Sequence, residues 1–237
     1  MESLKGKTAL VTGGTRGIGR AIAESLLREG ASVSICGRTE DSTSRAVAAM
    51  KHLGAIFGHA ADITRLDEVR ELFRAVDREF PRLDILINNA GQGTFRKVGE
   101  MTPEEWHRNI DLNLNGAFYC AHEALARFRD GGGFIVNISS LAAKNAFTGG
   151  AAYNASKAGL NLFSEATMLD HRYDKVRVCS VMPGSVATQF SGERAASDDA
   201  DWKIAPEDVA DAVITVLRMP ARTTISRVEM RPSRPKK

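Results

Sequence analysis

The chain has 237 residues, 43% of them hydrophobic, enough to bury one sizeable core without a linker or a second domain. Its net charge is +3, but Arg231, Arg234, Lys236 and Lys237 sit together at the end of the chain. The basic excess therefore belongs to a solvated tail and, with no interleaved aromatics, argues against a nucleic-acid partner.

The longest apolar runs, such as 83–87, are strand-sized, and the start of the chain carries no apolar signal region; the expectation is a cytoplasmic protein with no membrane contact. Cys36, Cys120 and Cys179 have no metal-ligand spacing and read as small packing residues in a reducing compartment. His52, His59, His107, His122 and His171 are scattered, so no metal site is expected.

In chain order, Thr8 to Thr12 predicts a short buried strand that runs into Gly13-Gly14-Thr15-Arg16-Gly17-Ile18-Gly19. A helix over Gly17 to Glu29 follows, with Ile22, Leu26 and Leu27 on one face. A strand, a glycine turn and a helix in that order make an anion site, because free backbone N–H groups and the positive end of the helix dipole converge on the turn. Further strands are expected at Ser32 to Cys36, Ala55 to His59, Leu83 to Ile87, Phe134 to Ile138, Val176 to Val181 and Ile225 to Met230. Helices are expected at Asp67 to Phe80, Ile110 to Phe128, Ala152 to Asp170 and Pro206 to Arg218. This alternation predicts an α/β fold over residues 1–230: a single-domain, Rossmann-type, doubly wound parallel β-sheet with helices on both faces, followed by a basic tail at 231–237. Ligands of such sheets bind at the carboxyl ends of the strands, and Gly13, Asn88, Ser139, Ser140 and Pro183 all follow strands.

Tyr153 and Lys157 stand four residues apart, on one helix face. A phenol titrates near pH ~10, and an ammonium at roughly 5.5 Å in an effective dielectric of ~20 favours the phenolate by about 3 kcal/mol. That would draw Tyr153 down by on the order of two pKa units, towards a working acid or base.

Thr12-Gly13-x-x-x-Gly17-x-Gly19, Asn88-Asn89-Ala90-Gly91, Asn113, Ser140, Tyr153-x-x-x-Lys157 and Pro183-Gly184, in register from about Lys5 to Val216, closely resemble the common single-domain branch of the short-chain dehydrogenase/reductase family. The resemblance implies an enzyme that interconverts a carbonyl (ketone or aldehyde) and an alcohol with a nicotinamide dinucleotide, Tyr153 passing the proton. It implies that Lys157 binds the cofactor ribose and tunes the phenol, that Ser140 polarises the carbonyl, and that Asn113 links Lys157 to solvent through a water. It adds to the cofactor contacts Gly13, Thr15, Arg16, Gly17, Ile18, Gly19, Asp62, Ile63, Asn89, Ala90, Gly91, Pro183, Gly184, Val186 and Thr188, besides Tyr153 and Lys157. For the substrate pocket it points to Gln92, Phe95, Ser140, Lys144, Asn145 and Phe147, and to a lid over Gln189 to Ala205 with Trp202 offering an aromatic face. A homodimer or homotetramer built on the two long central helices is expected.

Where a site for NAD usually carries an acid after the second strand, this chain has Gly37-Arg38. Arg38, helped by Arg16, suits a 2′-phosphate, so NADP is expected over NAD. Two alternatives are a 3-oxoacyl-carrier-protein reductase docking its acidic carrier on Arg127, Arg129 and Arg172, and a nonenzymatic NADP-binding sensor or scaffold.

Overall fold

The computed structural model describes residues 1–128, 132–188, 190 and 201–235. Its strands are β1 (Thr8–Thr12), β2 (Ser32–Gly37), β3 (Ile56–Ala60), β4 (Ile85–Asn88), β5 (Gly133–Ile138), β6 (Val176–Pro183) and β7 (Arg227–Met230). Its helices are α1 (Gly17–Arg28), α2 (Glu40–Met50), α3 (Leu66–Glu79), α4 (Pro103–Ile110), α5 (Gly116–Leu125), α6 (Ala151–His171) and α7 (Pro206–Leu217). The strands form one sheet in the order β3-β2-β1-β4-β5-β6-β7, every neighbouring pair parallel. This is the doubly wound sheet read from the sequence.

The apolar runs become strands because both faces of the sheet are covered, so a side chain pointing either way is buried. β1 shows this directly: all five of its residues are buried. On one face, Ile22, Leu26 and Leu27 of α1 pack with Val209, Val213 and Ile214 of α7 over Val11, Ile35, Val136 and Val181. On the other, Leu72, Phe73 and Val76 of α3 and Cys120, Ala121 and Ala124 of α5 cover Leu10, Leu86 and Ile135. The three cysteines are free and buried inside this packing.

One expectation for the middle of the chain changes. Residues 110–128 do not form one helix: α4 ends at Ile110, a π-helical turn occupies Asp111–Asn115, and only then does α5 begin. The wider turn buries the side chain of Asn113 against the segment after β4, and single-turn π insertions of this kind recur at functional sites. The expected last strand forms at Arg227–Met230, which pairs with Ser180–Pro183. No helix among the described residues is long and apolar enough to cross a membrane.

Candidate active site

The glycine turn sits where β1 and β4 end side by side. Gly13 has φ +63°, and a Cβ there would stand 2.9 Å from the Cα of Ala90; at Gly19 a Cβ would overlap both the Asn89 amide and the Gly13 carbonyl. Only glycine lets the chains come this close. Thr12 joins them: its buried Oγ1 donates to the Ile87 carbonyl (3.3 Å) and accepts the backbone N–H of Asn89 (3.0 Å) and of Ala90 (3.1 Å). The Asn89 side chain donates to the carbonyls of Thr12 and Gly13. Across the cleft, Thr188 lies 3.4 Å from where a Cβ on Gly17 would be, so the segment after β6 meets the turn. Pro183 closes β6 and Gly184 donates to the Met230 carbonyl, which ties this wall to β7. Val186 forms a bridge with Ile204.

Asp62 accepts from the backbone and hydroxyl of Thr64, and Ile63 is buried in the core beneath Gly116. Arg16 and Arg38 are exposed, and neither has an ion-pair or hydrogen-bond partner among the described residues. The next acids after β2, Glu40 and Asp41, lie in the first turn of α2, where they bond Ser44 and Arg45.

Tyr153 stands in the first turn of α6 and Ser140 caps the short turn after β5, close enough for its hydroxyl to favour the ionised phenol. The Lys157 ammonium is buried, donates to the Ile138 carbonyl at 2.8 Å and lies 5.9 Å from the Tyr153 ring centre. It has three N–H groups and one acceptor among the described residues, which leaves two donors for a ligand.

One expectation is corrected here. Burial pushes the Tyr153 phenol above its usual value, opposed by the nearby Ser140 hydroxyl, and pushes Lys157 down to about 8. The Lys157 charge does not bring the phenol down; desolvation outweighs attraction between groups nearly 6 Å apart. At neutral pH the arrangement holds a neutral phenol that can donate beside a charged amine.

Asn113 is 1% exposed and holds the segment after β4 like a clamp. Its Oδ1 accepts the Gln92 N–H, and its Nδ2 donates to the Gln92 carbonyl and to Ser156 Oγ, each at 2.9 Å. A Cβ on Gly91 would stand 3.0 Å from Asn113 Oδ1 and 3.5 Å from Lys157 Nζ, so Gly91 separates clamp from ammonium. The structure thus brings together Gly91, Asn113, Ser140, Tyr153 and Lys157.

The expected pocket residues divide. Phe95 packs edge-on to Tyr153 (5.7 Å between ring centres, 84°) and Phe147 packs on Phe95 (5.6 Å, 61°). Phe190 packs on Tyr153 from another side (5.7 Å, 60°); the sequence reading covered it only as part of the 189–205 stretch, and its signal was an aromatic two residues past Thr188. Others point elsewhere. The Gln92 side chain bonds the Arg108 carbonyl, that of Asn145 bonds the Leu141 carbonyl, and Lys144 pairs with Glu229. Trp202 lies apart from the phenol, stacked under Lys203 in a cavity of about 490 Å³ that it shares with Arg231, Pro232 and Arg234. The bridge from Val186 to Ile204 and the start of α7 carry its chain segment there. Gln189 and 191–200 of the expected lid lie outside the described residues, as does Arg129.

The described residues do not favour the carrier-docking reading. Arg127 is neutralised by Asp77 and Glu123 and covers Phe73, while Arg172 follows the last turn of α6, ~28 Å along the axis from Tyr153 at 1.5 Å per residue. It lines a cavity at the opposite, amino ends of the strands.

The sequence profile described as short chain dehydrogenase matches residues 7–199, most of the chain. The chain belongs to the short-chain dehydrogenase family. It is 33% identical over 233 residues to an uncharacterized oxidoreductase of Staphylococcus aureus strain N315, covering 98% of this chain and all of that one. It is 36% identical over 194 residues to the 3beta-hydroxysteroid dehydrogenase of Mediterraneibacter gnavus, covering 81% of this chain and 70% of the relative. Among solved structures, an alcohol dehydrogenase of the archaeon Thermococcus sibiricus, complexed with 5-hydroxy-NADP, superposes with a TM-score of 0.91 at 26% identity over 98% of this chain and all of that one. Members of this short-chain dehydrogenase family use a nicotinamide cofactor. The residues here fit such a group: the glycine turn admits no Cβ at Gly19, and the two spare donors of Lys157 suit vicinal hydroxyls.

Proposed function

We propose that the protein is an NADP(H)-dependent oxidoreductase that interconverts small or medium apolar ketones or aldehydes and their alcohols. The observation that carries this is the Lys157 ammonium, buried with one protein acceptor and set between Gly91 and the Tyr153 ring, with Ser140 at the phenol. The bound nicotinamide supplies or takes the hydride. Ser140 holds the carbonyl oxygen, and Tyr153 donates its proton to that oxygen in reduction and takes it back in oxidation. Lys157 fixes the ribose hydroxyls and keeps a positive charge beside the phenolate as it forms. Asn113 keeps the Gln92 backbone and the first turn of α6 in place. The glycine turn, with Thr15 and Ile18, holds the pyrophosphate at the amino end of α1, while Asp62, Asn89, Ala90, Val186 and Thr188 line the cleft.

NADP is favoured over NAD because Arg16 and Arg38 are free to take a 2′-phosphate and no acid stands at positions 37–39. Residues 1–230 act as the catalytic domain in the cytoplasm, as a homodimer or homotetramer pairing through α5 and α6, whose outer faces expose Phe118, Leu162 and Leu169. The test is a parallel screen of ketones, aldehydes, sugars, steroids and acyl thioesters, following NADPH absorbance. Turnover of apolar ketones is the expected result; oxidation of NADPH by none of them would overturn the assignment.

A further inference from the structure

Two phenyl rings, Phe95 and Phe190, pack on the phenol and a third, Phe147, packs on Phe95; each keeps a large part of its surface open. Phe95, Phe147 and Phe190 are 44%, 45% and 40% exposed, although they come from three separate segments of the chain. Scattered exposed apolar residues are ordinary; three linked ring to ring around one half-buried phenol are a binding surface. Glycines make room for the rings. A Cβ on Gly93 would stand 2.6 Å from Phe95 Cζ and 3.0 Å from Phe190 Cε1, and one on Gly150 would stand 2.7 Å from Phe147 Cζ. The rings meet each other and Tyr153 at 60° to 84°, so they offer both edges and faces to a guest. Two cations near the rings are already engaged: Arg96 pairs with Glu105 and Lys144 with Glu229.

Resting on the oxidoreductase reading above, we propose that Phe95, Phe147 and Phe190 form a specificity collar that selects carbonyl compounds bearing a flat aromatic ring, that is aryl ketones and aryl aldehydes. Apolar bulk alone does not satisfy such a collar. A saturated ring of equal size buries similar area, but only an aromatic guest adds edge-to-face contacts with the phenyl quadrupoles. The carbonyl then reaches Ser140 and Tyr153 at the base of the collar while the aryl group stays among the rings.

The discriminating experiment compares acetophenone with cyclohexyl methyl ketone, which have the same carbon skeleton, by calorimetric titration into protein saturated with NADP⁺. No reduction occurs in that complex, so binding is read without turnover. Acetophenone should bind at least about fivefold tighter, the size of one edge-to-face pair. Phe95→Leu, Phe147→Leu and Phe190→Leu keep an apolar side chain and remove the ring, and should each bring the ratio of the two affinities towards one. Gly93→Ala, which displaces two rings at once, should do the same. NADPH affinity serves as the check that each variant is folded. A ratio near one in the parent, or a ratio that survives all four substitutions, overturns the collar. If the collar behaves as expected but neither ketone is reduced with NADPH, it is the oxidoreductase reading that fails.

Discussion

The residue that governs the chemistry is Lys157, because burial leaves it titrating at about 8, close to working pH, while the phenol beside it is held upward. Below pH 8 the amine is charged and the phenol protonated, the pair needed for reduction. As pH rises through 8 the amine loses its charge before the phenol loses its proton. Reductive kcat/KM should therefore fall above pH ~8, a limb that reports free-enzyme groups; a profile flat to pH ~9.5 would contradict this order of titration. Cofactor choice is also a residue-scale matter. Aspartate at position 37 is the obvious exchange, but a Cβ there would stand 2.6 Å from Thr15 Cγ2 and would disturb the glycine turn. Arg38→Ala is cleaner. Loss of one charge-assisted bond, worth roughly 1.5 to 3 kcal/mol, should lower kcat/KM for NADPH by about ten- to hundredfold and leave NADH almost unchanged. Equal losses with both cofactors would show that Arg38 does not read the phosphate. The motif residues were legible because their chemistry is local: a glycine that must lack a Cβ, a phenol and an amine one turn apart. The direction of the phenol's pKa was not, since it depends on how deeply the folded chain, with Phe95 and Phe190 on the ring, buries it.

At the scale of elements, the joint between β1 and β4 positions the cofactor cleft, and Thr12 is its pin. Replacing Thr12 by Val keeps the volume but leaves the Asn89 and Ala90 N–H groups unpaired, at about 1–3 kcal/mol for each group so orphaned. Thermal unfolding should show a loss of several degrees that Thr12→Ser largely restores; an unchanged Tm would mean that water replaces the hydroxyl. The strands were legible to within a residue or two because most are short runs rich in apolar residues, and even β7 keeps Val228 and Met230. Two helices were not. The α2 segment Glu40–Met50 buries only Thr43, Ala46 and Met50, a stripe too small and polar to register as amphipathic. The α4 helix is eight residues long and buries only Asn109; its readable signal was Thr102 with Pro103 and Glu105, a capping box. The π-helical turn has no sequence signature, because what stabilises it is Asn113 gripping Gln92, twenty-one residues back along the chain.

For the whole molecule, the parallel sheet sends every functional segment to one edge: the glycine turn after β1, Asn89 to Gly91 after β4, Ser140 after β5 and Gly184 to Thr188 after β6. That convergence was legible, since the alternation of strands and helices dictates it. The inner wall of the pocket was legible only in part, because loops aim Gln92, Asn145 and Trp202 by hydrogen bonds and packing that no spacing encodes. Association is a whole-molecule prediction as well. Leu162 and Leu169 are 69% and 52% exposed on α6, so Leu162→Glu with Leu169→Glu should shift sedimentation towards the monomer; an unaltered distribution would move the interface elsewhere. The central claim is that the Tyr153 phenol transfers the proton at a site assembled by this convergence. It is tested most directly by Tyr153→Phe, assayed for NADPH-dependent ketone reduction alongside NADPH affinity by fluorescence titration. Turnover should fall ~100- to 10,000-fold, with the dissociation constant of NADPH changed less than about twofold; turnover within about threefold of the parent would contradict that role of the phenol.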